Sequence, residues 1–517
     1  MPGPAADPMA AWAAADGAFP AVVEAGVVTT RAALNAEVNR LAGGLVALGI
    51  EAGDCAAWCG PNSTRVVVAM HAFRKLGLVA VPLPYRLTAE EAHHVLVDSG
   101  AAVVVAAAGC APVIAGMLPR LPALRHAVSF GGPCPGTRSW EDVTALGSAD
   151  EPPAPPDHGT TMMYTSGTTG LPKGAIRSRS DRAVLAALMA ELNFGQAAAT
   201  PGPEVHLVTG PLYHAGPNAF ALLTHISGGT LVVMPGFDTA EWLRLVAAQR
   251  VTSAFVAPTH LKRIVDLPDD VLAAADVSSL RTLIVNAAPV PYALKLEVLA
   301  KLGEGFLYEV YGSTELGIAT VLRPEDQLRK PGSCGRPYGG IELRVVGDDG
   351  AAVPTGQPGE LFVRTALAID SYHHGAGRLA ELPEDRNWKS VGDIAWLDSE
   401  GYLHICDRKT DMVITGGMNV YPAEVEGVLH AHPDVADAAV IGVPDAEWGE
   451  RVHAVVQPKA GRDVDVPELG AFVAERLAGY KRPRSWDVRS ELPRTEAGKL
   501  LKAVLRAELG VGGPSRP

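Results

Sequence analysis

Between residues 33 and 290 short apolar runs alternate with amphipathic segments, and that alternation restricts the fold more than any other feature of the chain. The runs AAWCG, LVAVPLP, AAVVVAAA, VHLVTG, TLVVMP, SAFVAP and TLIVNAAP are each long enough for one strand. Between them lie segments such as ALNAEVNRLAGGLVALGI, VVVAMHAFRKLG, AEEAHHVLVDSG and TAEWLRLVAAQRV, with apolar residues at helical spacing. A strand that is apolar throughout must be covered on both faces, and interleaved helices provide that cover, so the pattern predicts an α/β protein with a largely parallel sheet. At 517 residues the chain exceeds what one simple core supports and predicts two or more domains.

The pattern changes near residue 330. IELRVVG, GELFVRT and IAWLDSEGYLHIC are short, alternate with period two and are broken by Gly and Asp, as antiparallel strands are. From Asp411 onward an α+β pattern follows, with helices at PAEVEGVLHAH and VPELGAFVAERL and strands at VADAAVIGV and RVHAVVQP. The expected division is residues 1–407, a hinge at 408–411, and a small domain at 412–517.

A formal net charge of −13 argues against nucleic acid as the main partner, because phosphate backbones are bound by Lys and Arg surfaces. The N-terminal segment has no Lys or Arg before Arg31 and no unbroken apolar stretch, unlike a secretory signal, and no run approaches the ~20 apolar residues of a membrane helix. Six scattered cysteines form no metal-binding spacing. These features predict a cytoplasmic protein with reduced thiols.

The most informative local segment is TMMYTSGTTGLPKG, Thr161 to Gly174. Glycines let backbone N–H groups approach an anion, Thr and Ser hydroxyls add donors, and Lys173 adds charge. The spacing is not that of a Walker loop. The run resembles the phosphate loop of the ANL adenylate-forming superfamily, which includes acyl-CoA synthetases, luciferases and nonribosomal adenylation domains. The resemblance assigns ATP contacts to Thr165, Ser166, Gly167, Thr168, Thr169, Gly170 and Lys173.

Other segments match the same superfamily in order, from about Ala32 to Leu505. GFLYEVYGSTELG (305–317) resembles its central adenylate motif, which implies that Tyr311 stacks on adenine and Glu309 faces the amino edge of the base. Val310 and Gly312 belong to the same nucleotide-binding stretch. Thr314 then bonds the α-phosphate, and Glu315 holds Mg²⁺. NAAPV (286–290) resembles the turn lining adenine, with Ala287, Ala288 and Pro289 against the nucleotide. VGDIA (391–395) resembles the motif whose aspartate, here Asp393, accepts both ribose hydroxyls. DRKTDMVITGGMNVYPAEVE (407–426) resembles the hinge, where Arg408, with Ile405 before it, contacts the nucleotide. LPRTEAGKL carries Lys499 at the position of the C-terminal catalytic lysine. The fold implied is a large N-terminal domain of two doubly wound α/β subdomains plus a distorted β-barrel, with a small mobile α+β domain after it.

PLYHAGPNAF (211–220) resembles the start of the acid pocket, with His214 as its gate. Asn218, Asn286, Gly312 and Gly317 are the further pocket residues. Gly416 and Gly417, with Trp448, Tyr480, Arg482 and Arg484, resemble a coenzyme A surface, since an aromatic face and a basic cluster suit an adenine with a 3′-phosphate. The implied reaction joins an acid to AMP at the expense of ATP and Mg²⁺, then passes it to coenzyme A. Carrier-protein loading, amide formation and activation of a small inorganic acid such as nitrite for transfer to an aryl amine share these motifs. Asn286, Thr410, Val391 and the segment TALAIDSY (365–372) depart from the common pattern. Neither the acid nor the oligomeric state, for which a homodimer is one arrangement, follows from the sequence.

Overall fold

The computed structural model describes residues 7–155, 159–165, 172–177, 181–195, 203–369, 371–375, 377–495 and 500–511. Its contacts divide the chain into two compact units. The first comprises Met1–Phe255, Ala275–Leu283 and Leu367–Arg378; the second comprises Val256–Ala274, Ile284–Ala366 and Leu379–Pro517.

The first unit contains an eight-stranded sheet. Strands β1 (Cys55–Cys59) and β2 (Val79–Leu83) lie at its centre. Helix α1 (Ala89–Ser99) separates β2 from β3 (Val103–Ala107) in the chain, and β4 (His126–Phe130) follows. These strands pair in parallel and are almost wholly buried, as their continuous apolar sequences require. Helix α1 begins with a capping box between Thr88 and Glu91. β5 (Thr160–Thr165) pairs in parallel with β2 and then turns back into β6 (Lys173–Ile176). The outermost pairing, Ser371–Tyr372 on β6, comes from the divergent TALAIDSY region, which therefore contributes to this sheet and not to the later antiparallel one.

A second sheet in the same unit holds Ser253–Val256, Val205–Val208, Thr230–Val233 and Pro20–Glu24 in parallel, with Val27–Thr30 antiparallel at its edge. Helix α2 (Ala215–Ile226) covers it and begins directly after the PLYH segment.

The second unit carries helix α3 (Tyr292–Leu302) and the antiparallel hairpin β7 (Leu307–Ser313) and β8 (Gly317–Leu322). A six-stranded antiparallel sheet includes β9 (Asp393–Leu397) and β10 (Leu403–Arg408). The C-terminal residues form their own layer. Helix α4 (Pro422–His430), the long hairpin of β11 (Val435–Asp445) and β12 (Gly449–Pro458), and helix α5 (Val466–Ala474) enclose Val425, Leu429, Val440, Val452, Leu469 and Val473. Helix α6 (Lys502–Glu508) packs on β11. Among the described residues no helix is long and apolar enough to cross a membrane.

Candidate functional site

The described ends of the glycine- and hydroxyl-rich motif lie on two paired antiparallel strands. β5 leads in and β6 leads out, with Tyr164 opposite Gly174 and Thr165 opposite Lys173. Thr165 and Lys173 therefore stand across from each other where the loop begins and ends. The Lys173 ammonium lies 5.8 Å from the centre of the Tyr372 ring, a cation–π distance. Ser166, Gly167, Thr168, Thr169 and Gly170 lie outside the described residues, as does Lys499.

In the same unit the PLYH segment is pinned from both sides. The Asn62 amide donates to Gly210 O (3.0 Å) and Met234 O (3.1 Å), and its Oδ1 accepts from Leu212 N (2.8 Å). Asn218, 3 % exposed, donates its side-chain amide to Leu212 O at 3.1 Å, so it braces the turn that presents His214. His214 is the N-cap residue of α2, its ring against Tyr213. Asn62 carries no local sequence signal: its partners are about 150 residues away along the chain.

In the second unit Tyr311, Asp393 and Arg408 converge. Asp393 and Arg408 are cross-strand partners on β9 and β10, which brings Arg408 Nε to 3.5 Å from Asp393 Oδ1. The Tyr311 hydroxyl donates to Asp393 Oδ2 at 2.5 Å. Burial, reinforced by the Asp393 charge, raises the Tyr311 pKa well above its ordinary value, so the phenol stays protonated. Ile405 lies on β10 opposite Ala395. A carboxylate held by a phenol and a guanidinium, beside an aromatic ring, suits a ribose and its base.

The β7–β8 hairpin presents Thr314 and Glu315 in its turn, between the paired residues Ser313 and Gly317. Gly312 is required here: a Cβ would lie 2.2 Å from Gly317 O and 2.7 Å from Ile318 Cα. Among the described residues no group of three His, Cys, Asp or Glu side chains could hold a metal unaided. Glu315 fits a cation that arrives with most of its ligands supplied by phosphate oxygens and water.

Glu309 departs from its expected role. Its carboxylate is buried, forms an ion pair with the equally buried Lys295 of α3 and accepts the Val290 N–H. Burial raises its pKa, and Lys295 opposes that shift. The side chain therefore has partners already and does not face a base edge freely. The Val290 contact ties β7 to the NAAPV turn, where Ala287 adopts a positive φ of 81° and Asn286 Oδ1 accepts the Ala287 N–H. A non-glycine residue held there stores backbone strain. Ala288 and Pro289 continue this turn before Val290.

The hinge motif is a tight turn in which Asp411 N and Met412 N both donate to Arg408 O, at 2.9 and 3.1 Å. The preceding Asp407 is buried and accepts from Arg408 N (2.8 Å) and Ala423 N (2.9 Å), so it caps the N-terminus of α4. Burial pushes its pKa up to about 6. Lys502 pairs with Glu426 at 2.8 Å, and Arg506 pairs with Asp411 at 2.8 Å. Burial would lower the Lys502 pKa, but Glu426, Asp407 and Asp411 together raise it, so it remains charged.

Of the surface assigned to coenzyme A, the structure gathers Gly416, Trp448 and Arg484. Gly416 N donates to Trp448 O at 2.9 Å, and a Cβ on Gly416 would fall 2.7 Å from the indole ring. The Arg484 guanidinium lies 4.2 Å over that ring. Gly417 continues the turn at φ 78°. Tyr480 faces the Lys481 ammonium at 5.7 Å. Arg482 departs from the expectation: Nε donates to Leu477 O (2.9 Å) and Nη2 to Ala474 O (2.8 Å), so it caps the C-terminus of α5.

The family model of the AMP-binding enzymes matches residues 9–373, and that of their C-terminal domain matches residues 424–499. A feruloyl-CoA synthase of an Amycolatopsis species is 38% identical over 500 residues, covering 95% of this chain and 96% of its own. The long-chain-fatty-acid–CoA ligase FadD13 of Mycobacterium tuberculosis is 34% identical over 495 residues, with 94% of each chain covered. Among solved structures, the anthranilate CoA ligase AuaEII in complex with anthranoyl-AMP superposes with a TM-score of 0.85 at 27% identity, covering 97% of this chain and 98% of that one. On the strength of these matches and of the site itself, the chain belongs to the AMP-binding enzyme family.

Proposed function

We propose that the protein is an AMP-forming acid:CoA ligase that uses MgATP, and that its acid is a carboxylic acid of the aryl or fatty class. The Tyr311–Asp393–Arg408 constellation carries the reading, because an aromatic ring, a carboxylate and a guanidinium in contact fit the base, ribose and phosphate of a nucleotide. The resemblance to feruloyl-CoA synthase and FadD13 supports the acid class and coenzyme A as acceptor.

The first step brings two anions together, so the protein must neutralise charge and align the groups. A carboxylate oxygen attacks the α-phosphorus of ATP, the bond to the β-bridging oxygen breaks, and pyrophosphate leaves. Lys173, Thr314 and Lys499 are assigned to the phosphates, and Glu315 holds the Mg²⁺ that enters with ATP. Fixed donors aimed at developing charge supply the largest catalytic contribution. Next the thiol sulfur of coenzyme A attacks the acyl carbonyl and AMP departs. His214 gates the acid, while Gly416, Trp448 and Arg484 receive the coenzyme. Residues 1–407 act as the adenylating domain and 412–517 as a lid that turns about 408–411 between the steps. The site of action is the cytoplasm.

The test incubates purified protein with MgATP and a panel of aryl acids, aliphatic acids and nitrite, each with and without coenzyme A. AMP, adenylates and thioesters are followed by mass spectrometry. A thioester that disappears with Lys499→Ala establishes the ligase, whereas AMP release with no thioester moves the acceptor to an amine or carrier protein. Lys499→Ala should harm adenylation far more than thioester formation from a supplied adenylate; equal damage to both refutes its role.

A further inference from the structure

The two stems of the phosphate hairpin are fastened to one face of one helix. On the incoming strand, the Tyr164 hydroxyl donates to Asp98 Oδ2 at 2.6 Å. On the outgoing side, His94 Nε2 lies 3.1 Å from Pro172 O; a carbonyl only accepts, so this nitrogen carries the proton. His94 and Asp98 are four residues apart on α1 and therefore lie on the same face of that helix. A third tie comes from the divergent segment. The Ser371–Tyr372 strand pairs with β6, and His374, held at φ 52°, places its Nε2 3.1 Å from Asp98 O. That segment also brings the Tyr372 ring to Lys173.

We propose that His94 and Asp98 are positioning residues for triphosphate binding, fixing the separation and orientation of the two strands that carry Thr165 and Lys173. The inference rests on the proposed use of ATP. It accounts for two features that the acid:CoA ligase reading leaves unused: the ties from His94 and Asp98 of α1 to both strands of the hairpin, and the pairing of the divergent Ser371–Tyr372 segment with β6. An anion site built from backbone N–H groups depends on the placement of its backbone, and that placement is strictest when the triphosphate is bound. Neither side chain needs to touch the nucleotide.

The experiment measures ATP–pyrophosphate exchange and full turnover for wild type, His94→Ala, His94→Gln, Tyr164→Phe, Asp98→Ala and the Tyr164→Phe/Asp98→Ala pair. Each variant is also followed by thermal melting. Loss of one neutral hydrogen bond corresponds to about fivefold. His94→Ala should raise KM for MgATP by about that factor while KM for coenzyme A and the melting midpoint hold. His94→Gln, which keeps a donor for Pro172 O, should recover most of the loss. The Tyr164 and Asp98 changes should be non-additive, since each breaks the same bond. Equal rises in KM for ATP, acid and coenzyme A with a lower midpoint would reduce these residues to scaffolding and overturn the inference, as would an unchanged KM for MgATP. Wild-type exchange that is absent with every acid removes the ligase reading and this inference together; exchange that is present but indifferent to His94 removes only the latter.

Discussion

Replacing Lys295 with methionine should make the stability of the protein steeply dependent on pH. The ammonium is 1 % exposed and the Glu309 carboxylate 8 %, so solvent cannot substitute for the lost partner. Removing one member of a buried ion pair typically costs about 3–5 kcal/mol, chiefly because the remaining charge is stranded. Glu309 retains the Val290 N–H and escapes the rest of the penalty by taking up a proton. Burial already raises its folded pKa above the ordinary value near 4.5, and loss of Lys295 raises it further. A carboxyl with a raised folded pKa contributes stability that is fully present below the unfolded value and is lost as pH rises through the folded one. The deficit of Lys295→Met should therefore be small near pH 5 and grow by up to about 1.4 kcal/mol per pH unit above it. Urea midpoints followed by tryptophan fluorescence at pH 5.5, 7 and 8.5 test this. Adding Glu309→Gln should restore most of the loss at pH 8.5. A deficit that is the same at all three pH values, or a double variant no better than the single, refutes the argument.

Four other outcomes are expected. Ala287→Gly should relieve the strain of a positive φ and raise the thermal midpoint by an amount equivalent to about 1 kcal/mol, with any change in KM for ATP showing whether that strain serves binding. Asp407, with its folded pKa pushed up to about 6 from near 3.8, contributes stability below the lower value that is lost as pH rises through the higher one. Protease cleavage at the 408–411 turn, normalised to an unfolded substrate at each pH, should therefore be faster at pH 7.5 than at pH 5. Arg484→Ala should raise KM for coenzyme A without lowering the melting midpoint. Arg482→Ala should lower the midpoint through loss of the α5 cap, so the opposite pattern would reverse these assignments.

Much of the architecture was legible because it rests on local patterns. Continuous apolar runs marked the parallel strands β1 to β4, and period-two runs marked the antiparallel ones after residue 330. The candidate site positions could be named because they lie in compact motifs, and the structure brings three of them, Tyr311, Asp393 and Arg408, into contact. What remained hidden is long-range pairing. Nothing near Asn62 announces that it holds the PLYH segment, and nothing near Lys295 announces Glu309, because no periodicity encodes a partner on another element. Glu309 and Arg482 illustrate the same point: their residue type and motif position suit a ligand, while a distant ammonium and the backbone carbonyls of Ala474 and Leu477 engage them in the structure. Within the TALAIDSY segment the two residues Ser371 and Tyr372 pair with β6, a partner almost two hundred residues earlier in the chain that no local pattern signals.

The turn after Arg408 also bears on how freely such enzymes could exchange their C-terminal parts. Asp407 on one side of the joint caps α4 on the other, and Asp411 is matched by Arg506 almost a hundred residues later. A graft made at this point keeps its register only if the incoming part supplies an open backbone N–H at the second residue of its first helix and a cation near its end. The joint is keyed, and the compatibility of a foreign C-terminal part can be judged from those few positions before any chimera is made.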